Sequence, residues 1–484
     1  MTIMRLSEEK ILDGVLDQFA ELCQYPHPSG GEGPLADYVE QLLRERGLFV
    51  ARDEWNNIMA DVPATPGRED VPLTILQGHL DMVCAVKPGS GYDPATSPVE
   101  PMVVCGMLRS DGRSSLGADN NLGNSVVLWL LEQDIPHGPV RLLFTTGEEV
   151  GLQGAKKLDP AWLAGAKYLI NTDGFSLGKA VIASSGGLRE HFSRPIEYAP
   201  RKKSCLFALE ITGFPGGHSG YDIHRDRPNP IGLTAQWLQA LRNAADFELL
   251  GLSGGHAENA IPMDCYALLT VDEEDIPALN ELWEELTWSV YVPDGGIRLT
   301  RREGGPERVW SKECRDQVLD ALAGFYDGVF AWRDFETDQV SASANLGVVK
   351  EKDGQLLVDC FIRFTAQEEE EGLAQQHLET AQKGGFQGTF DRYPAWEECD
   401  DDFLISALAH AWFDMTREMI ELTAVHVGLE PAVLGAKNPG MLMISTGPTI
   451  YDPHSLEERA PLRCLADYAR LIAGVLDKIS NGNT

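Results

Sequence analysis

The sequence lacks a hydrophobic segment long enough to cross a membrane. Its 484 residues are 43% hydrophobic and 24% charged, and no apolar run approaches the roughly 20 residues of a membrane-spanning helix. The first ten residues also lack the apolar stretch and small-residue cleavage site of a secretory signal. We therefore expect no membrane partner and a cytoplasmic location.

Closely paired cysteines and positive charge are also scarce. The nine cysteines are scattered without a Cys-x-x-Cys pair, which argues against a disulfide framework and against a thiolate zinc site. Lysine and arginine number 40 against 74 aspartates and glutamates, a net charge of -34. Such a charge repels phosphate backbones. We expect reduced, mostly buried thiols and no nucleic-acid partner.

The chain is long enough for two domains, since single cores stop growing near roughly 250 to 300 residues. Residues 1–185 alternate short apolar runs with amphipathic stretches, which is typical of an α/β domain with a largely buried sheet. Between 186 and 395, strand-like pieces alternate with amphipathic helices, which indicates an inserted α+β domain with two lobes. We predict that 1–185 and 396–484 form one discontinuous domain around this insertion.

Histidine or acidic residues follow the ends of several predicted strands. These strands are 71–76, 140–146, 167–171 and 441–446. Open α/β sheets bind ligands beyond the carboxyl ends of their strands, where loops converge. His454 lies just before a long C-terminal helix, for which Ser455 and Glu458 have the spacing of a capping box.

One set of residues has the composition of a metal site. It contains two imidazoles and several carboxylates, which is what a pair of closely spaced zinc ions prefers. An isolated histidine is more often structural, so the prediction depends on the whole set. Its members are His79 and Asp81 in Gly-His-Leu-Asp, Asp119, the pair Glu148 and Glu149, Asp173, and His454.

The roles within this set follow from what two neighbouring metals require. One carboxylate must bridge them, and we assign Asp119 to that role. One of Glu148 and Glu149 should coordinate, while the other acts as general base. Asp81, two residues after His79, is close enough to accept the second imidazole N–H and fix its tautomer.

In this order and spacing, the segments resemble the M20 family of metallopeptidases, in particular its aminoacyl-histidine dipeptidase branch. The resemblance covers essentially the whole chain. It includes Pro-His-Pro-Ser-Gly at 26–30, Gln-Gly-His-Leu-Asp-Met-Val at 77–83, Gly-Gly-His-Ser-Gly at 216–220, Glu-Asn-Ala-Ile-Pro at 258–262, and the segment ending in His454.

The resemblance implies a zinc-exopeptidase-like catalytic domain with a mixed sheet flanked by helices, and an inserted lid through which relatives often dimerise. It implies two Zn²⁺, with Mn²⁺ or Co²⁺ as substitutes, and a homodimer. Glu148 becomes the general base, Asp81 orients His79, His218 stabilises the oxyanion, and Asn259 and Arg363 bind substrate. The implied metal ligands are His79, Asp119, Glu149, Asp173 and His454, with Asp119 bridging.

Two departures from the family pattern stand out. Pro431 and Ala432 replace cysteine and glycine in a segment expected to line the substrate pocket, where an alanine would narrow the available space. Asn121 stands where many relatives carry glycine, at a helix start where asparagine is ordinary. The first departure concerns substrate preference, and the second predicts no loss of activity.

The resemblance therefore implies hydrolysis of unblocked dipeptides of the Xaa-His type, with a broad preference, by an activated water. An M20-type amidase or deacylase acting on N-acyl amino acids is the alternative within hydrolases. A peptide-binding relative without catalysis is a third possibility, against which the complete set of candidate residues speaks.

Overall fold

The computed structural model describes residues 6–482 except 291, 293, 294, 335 and 400–402. Residues 1–5, the start of the segment that we predict is not a secretory signal, lie outside this set. The chain forms two compact units. The first comprises the described residues of 1–184, 396–424 and 429–484, and the second those of 185–395 and 425–428.

The first unit combines two sheets with helices. Its strands are β1 (Phe49–Arg52), β2 (Ile58–Val62), β3 (Leu73–His79), β4 (Pro101–Val104), β5 (Met107–Ser110), β6 (Val140–Thr145), β7 (Ala166–Asn171), β8 (Lys179–Ser184), β22 (Glu421–Val425), β23 (Leu442–Ser445) and β24 (Arg459–Pro461). Its helices are α1 (Glu8–Leu22), α2 (Gly33–Glu45), α3 (Ala118–Leu130), α4 (Gln153–Lys157), α9 (Phe403–Thr416), α10 (Glu430–Lys437) and α11 (Leu462–Asn481).

The main sheet of this unit is mixed. Its eight strands follow the order β1-β2-β6-β3-β7-β23-β8-β22. Strands β6, β3, β7 and β23 are parallel neighbours, whereas β1, β2 and β8 pair antiparallel. The central strands are buried along most of their length, which explains their near-continuous apolar sequences. This confirms the predicted α/β class with a mixed sheet.

A layer of helices covers the sheet and closes the core of this unit. Helix α3 is buried at every position and packs against α1, α11 and β3. Helix α11 has an apolar stripe that includes Leu465, Leu471, Ile472 and Val475, all fully buried. Each Å² of apolar surface removed from water stabilises the fold by about 25 cal/mol. Burial of this stripe is therefore the main source of the helix's stability.

The second unit is an α+β structure. Its strands are β9 (Gly186–Pro195), β10 (Tyr198–Pro200), β11 (Cys205–Thr212), β12 (Gly217–His218), β13 (Phe247–Gly254), β14 (Ala260–Ile261), β15 (Cys265–Val271), β16 (Gly296–Arg302), β17 (Arg308–Trp310), β18 (Gly328–Asp334), β19 (Gln339–Lys352), β20 (Gln355–Phe364) and β21 (Gln387–Tyr393). Its helices are α5 (Pro230–Ala244), α6 (Ile276–Ser289), α7 (Lys312–Gly324) and α8 (Gln367–Lys383).

One nine-stranded sheet runs through this unit, with β16 at one edge and β21 at the other. The two predicted helix-and-strand sets are joined within it by the pairing of β13 with β19. Helices α5 and α7 pack against each other and share an apolar core with the strands. The predicted inserted α+β domain is confirmed, with its two halves built on a common sheet.

Two expectations from composition concern the whole chain. The nine cysteines are free, and six of them are buried, as the scattered pattern predicted. Among the described helices, none combines the length and the apolar character needed to cross a membrane.

Candidate active site

Four neighbouring parallel strands of the first unit carry the predicted chemistry at their carboxyl ends. His79 is the last residue of β3. Glu148 and Glu149 follow β6, Asp173 follows β7, and His454 lies in the loop after β23. Because parallel strands end at the same sheet edge, residues far apart in the sequence converge here.

Asp119 lies at the centre of this cluster. It is at the start of α3, and its peptide bond to Asn120 is cis. Its Oδ1 is 3.0 Å from His79 Nε2, and its Oδ2 is 2.9 Å from His454 Nε2. The two oxygens of one carboxylate therefore face two different imidazoles, which is the arrangement required of a carboxylate between two metals.

Two groups of potential ligands share Asp119. The first adds His79 and Asp173, whose Oδ1 is 3.6 Å from His79 Nε2. The second adds His454 and Glu149, whose Oε1 is 2.8 Å from His454 Nε2. Within each group the potential ligand atoms lie within 4.8 Å of one another. Glu148 belongs to neither group, but it forms a third with His79 and Glu149.

Asp81 contacts His79 differently from what the spacing predicts. His79 Nδ1 donates to the main-chain carbonyl of Asp81 at 2.9 Å, whereas the nearest carboxylate oxygen is 3.6 Å away. The carboxylate instead accepts hydrogen bonds from the main-chain N–H groups of Glu148 and Glu149, at 3.0 and 3.2 Å, and from Ser29 Oγ at 2.8 Å. Asp81 thus links His79 to the Glu-Glu loop.

The electrostatics of the cluster require positive charge. Burial and the nearby Glu149 raise the pKa of Glu148 well above its usual range. Burial and Asp119 raise the pKa of Asp173 in the same way. Burial opposes protonation of His454, but Asp119 and Glu149 outweigh it and raise the pKa of this imidazole to about 11. Clustered buried carboxylates of this kind are stabilised by bound cations.

The donor set fits divalent metal ions. Glu149 Oε1 is buried and accepts no hydrogen bond among the described residues, although His454 Nε2 is close to it. The imidazole nitrogens and carboxylate oxygens that converge here match the preferences of Zn²⁺, Mn²⁺ or Co²⁺. His79 Nδ1 donates to the Asp81 carbonyl, which fixes the tautomer that leaves Nε2 available as a ligand atom.

The second unit brings together the three predicted residues of the insertion. His218 on β12 pairs with Ala260 on β14, next to Asn259. The main-chain N–H of Ser219 donates to the Asn259 carbonyl at 2.9 Å. Arg363 Nη2 is 3.5 Å from His218 Nε2. These residues, distant in the sequence, therefore form one local cluster.

Arg363 has an unusual environment for a cation. It is 3% exposed. Its side chain contacts two neutral hydroxyl groups, Ser219 Oγ and that of Tyr393, both at 3.4 Å, and the His218 imidazole. Its guanidinium stacks on Phe361, 4.3 Å from the ring centre. Burial lowers its pKa. No carboxylate among the described residues forms an ion pair with it, so an anionic ligand would complete this site.

The predicted capping box at Ser455 and Glu458 is wrong. Helix α11 begins at Leu462, beyond both residues. Glu458 instead accepts hydrogen bonds from four successive main-chain N–H groups, those of residues 116–119, at 2.8 to 3.2 Å. It therefore caps the start of α3 and holds the main chain of Asp119. Local spacing could not reveal a partner more than 300 residues away.

Asn121 is not an ordinary helix-start residue. It is 1% exposed, and its Nδ2 lies 3.0 Å from His27 Nε2, to which it donates. Its Oδ1 accepts from Asn124 Nδ2 at 2.9 Å, and the same Asn124 nitrogen donates to the His79 carbonyl at 2.6 Å. This chain of amides supports His79. The early Pro-His-Pro-Ser-Gly motif was the available sign that His27 is engaged.

The segment around Pro431 also differs from expectation. Glu430, Pro431 and Ala432 form the first turn of α10 and are buried, with Ala432 2% exposed. Ala432 thus has little surface to offer a substrate. Glu430 accepts from Thr145 Oγ1 at 2.7 Å and from Gln77 Nε2, and burial raises its pKa to about 7. Sequence reasoning missed this buried carboxyl beneath the strand that ends at His79.

Comparisons with known proteins cover both units. A sequence profile of the M20 peptidase dimerisation domain matches residues 202–292. The chain is 29% identical over 475 residues to a cytosol non-specific dipeptidase of Escherichia coli strain K12. The aligned region covers 96% of this chain and 97% of that protein.

Solved structures agree over the same length. The crystal structure of an aminoacylhistidine dipeptidase from Vibrio alginolyticus superposes with a TM-score of 0.81 at 27% identity, over 99% of both chains. Human carnosine dipeptidase 1, at 14% identity and a TM-score of 0.53 over 98% of this chain and 99% of that one, shares the fold. The resemblance indicated by the motifs is confirmed: the chain is similar over nearly its full length to dipeptidases, and its second unit contains a match to the M20 peptidase dimerisation domain.

Proposed function

We propose that this protein is a metal-dependent dipeptidase that hydrolyses unblocked dipeptides, Xaa-His dipeptides among them. The observation that carries the proposal is the pair of ligand groups that share Asp119. Similarity over nearly the full length to two proteins named as dipeptidases supports the substrate class. The preference within that class is taken to be broad, since one relative is named as non-specific.

The residues proposed to hold two Zn²⁺ follow from the two groups. His79 and Asp173 would hold one ion, His454 and Glu149 the other, and Asp119 would bridge them. Mn²⁺ or Co²⁺ would suit the same oxygen and nitrogen ligands. When bound, such ions polarise a carbonyl and lower the pKa of water.

Glu148 is proposed as the general base. It lies beside the ligands without belonging to either group that shares Asp119, so its carboxylate is available for proton transfer. Its task is to accept a proton from the attacking water and return it to the leaving amine. Asp81 is proposed to orient His79 through the main-chain carbonyl of Asp81. Its carboxylate is proposed to fix the position of the Glu148 main chain.

The second unit is proposed to supply substrate contacts. The buried Arg363, whose partners are neutral, suits a free carboxylate, because its planar fork can donate two hydrogen bonds to it. Asn259 is proposed as a further substrate contact, and His218 as the donor that stabilises the oxyanion.

A homodimer in the cytoplasm is the proposed state of the protein. The match to a dimerisation domain at residues 202–292 supports self-association, and the name of the Escherichia coli relative supports the location. The net charge of -34 disfavours nucleic acid and anionic membranes as partners.

The test is a substrate panel with the metal-loaded protein. Wild type should cleave free dipeptides, lose activity on chelation and regain it when Zn²⁺, Mn²⁺ or Co²⁺ is restored. Glu148→Gln should lower kcat roughly 10²- to 10⁴-fold while bound metal, measured by mass spectrometry, stays the same. Cleavage of N-acyl amino acids alone would establish the amidase reading and contradict the dipeptidase proposal.

A further inference from the structure

His426 is a buried histidine of the second unit that the proposed mechanism does not use. It lies in the segment 425–428, which belongs to that unit. Its Nε2 is 2.8 Å from Ser343 Oγ. Its Nδ1 is buried and has no hydrogen-bond partner among the described residues. An unpaired buried polar atom is destabilising, so this nitrogen is expected to meet a ligand.

The sheet register places His426 beside Arg363. Ser343 on β19 is directly opposite Arg363 on the antiparallel strand β20, so both side chains project from the same face with Cβ atoms about 5 Å apart. His426 is held on that face by Ser343.

Gly220 allows His218 to lie close to His426. A Cβ on Gly220 would lie 2.3 Å from the His426 carbonyl oxygen and 3.1 Å from His218 Cε1. Only glycine permits this close approach of the 216–220 loop to His426. His218, Arg363 and His426 therefore surround one small volume.

The charges of this volume identify the missing ligand. Burial, and then the nearby Arg363 and His218, lower the pKa of His426 to about 3, so its imidazole is neutral at physiological pH. Arg363 is a buried cation that contacts two neutral hydroxyl groups, and no carboxylate among the described residues pairs with it. A group that satisfies both side chains must be anionic and must accept several hydrogen bonds, and a carboxylate has these properties.

We propose that His426 is a substrate-binding residue that donates, from Nδ1, to the same free carboxylate that Arg363 binds. This rests on the proposed function, in which the substrate has a free carboxylate. Ser343 acts as a positioning residue: its hydroxyl donates to Nε2 and thereby leaves the proton on Nδ1. The C-terminal amide of the same dipeptide lacks the charge and one acceptor oxygen, so His426 should discriminate against it.

Two isosteric variants separate the two ring nitrogens. The amide nitrogen of asparagine approximates Nδ1, and that of glutamine approximates Nε2. We expect His426→Gln to raise KM for a free dipeptide roughly 10- to 100-fold, with little change for the dipeptide amide. His426→Asn should retain most of the affinity for the free acid. Equal effects of the two variants, or equal effects on acid and amide, would overturn the proposal.

Binding without turnover keeps this test independent of the proposed reaction. Calorimetry on metal-loaded Glu148→Gln protein, with and without His426→Gln, would compare glycyl-histidine with its C-terminal amide. A preference for the acid that His426→Gln abolishes supports the role of His426 even if wild type hydrolyses no dipeptide. Absence of any acid preference in the Glu148→Gln protein overturns that role even if dipeptide hydrolysis is observed.

Ser343→Ala provides a second test of the proposal if thermal unfolding shows that His426→Gln is unstable. Without the hydroxyl, the ring can adopt either tautomer. We expect a smaller rise in KM for the free dipeptide, none for the amide, and an unchanged pH profile because His426 stays neutral. A purely structural role of Ser343 would instead affect acid and amide alike, and that result would contradict the proposal.

Discussion

Asp119 is the residue on which the proposed metal centre depends most. Its Oδ1 faces His79 and its Oδ2 faces His454, at 3.0 and 2.9 Å, while each other candidate ligand belongs to a single group around it. Removing this one carboxylate therefore affects both groups, whereas removing Glu149 affects one.

Metal content should reflect this difference. We expect wild type to bind two Zn²⁺ per chain, Asp119→Ala to lose both, and Glu149→Ala to retain one, because each ion needs its full set of ligands. Elemental mass spectrometry after dialysis measures the count, with the exposed Asp134→Ala as the matched control. Equal loss from the two ligand variants would contradict a bridging role for Asp119.

Asn121 tests whether the amide chain beneath His79 contributes to stability. Asn121→Gly introduces the residue expected from the family resemblance, but it leaves His27 Nε2 buried without its donor at 3.0 Å. We expect the free energy of unfolding to fall by about 1 to 3 kcal/mol, measured by chemical denaturation. An unchanged midpoint would show that the residues around His27 and Asn124 compensate.

At the scale of elements, sequence periodicity located the strands that matter. The run predicted at 140–146 is β6 (Val140–Thr145), and that predicted at 167–171 is β7 (Ala166–Asn171). The strand predicted at 71–76 continues to His79 as β3, because Gln77, Gly78 and His79 pair with β6 despite their polar character. Tertiary pairing decides where a strand ends, and apolar periodicity does not report it.

The contact of Glu458 with α3 is the element-scale feature that local patterns could not predict. Glu458→Gln replaces one acceptor oxygen by an NH₂ group, so two of the four main-chain donors at 116–119 lose their acceptor. Since each unpaired buried donor costs about 1 to 3 kcal/mol, we expect a loss of about 2 to 6 kcal/mol in unfolding free energy.

Chemical denaturation of Glu458→Gln beside Glu457→Gln measures this effect. Glu457 is the adjacent, exposed glutamate, so its variant carries the same chemical change without the four hydrogen bonds and should unfold like wild type. Similar midpoints for both variants would mean that the α3 start holds its conformation without the carboxylate.

At the largest scale, the second unit carries a candidate surface for self-association. Trp288, near the end of α6, is 88% exposed and lies within the segment that matches a dimerisation domain. Tryptophan is enriched among the residues that contribute most to protein–protein interfaces. We therefore expect α6 to contribute to a homodimer.

Trp288→Glu should dissociate that dimer, because it places a charge in an apolar contact. Light scattering should give wild type twice the chain mass of 53.1 kDa and the variant a single chain mass. Met419→Glu, at a position 77% exposed in the first unit, is the control and should remain dimeric. A Trp288→Glu protein that stays dimeric would place the interface elsewhere.

The amino-acid sequence alone indicated the resemblance to M20 peptidases, the α/β and α+β classes, and the short segments from which the candidate ligands come. It could do so because catalytic motifs and apolar periodicity are local patterns. Which atoms face each other became known from the three-dimensional structure. Examples are the two oxygens of Asp119, the contact of Glu458 with residues 116–119, and the hydrogen bond between His426 and Ser343. Those contacts join segments distant in the chain, and their geometry depends on how strands pair and loops pack, which no local pattern encodes.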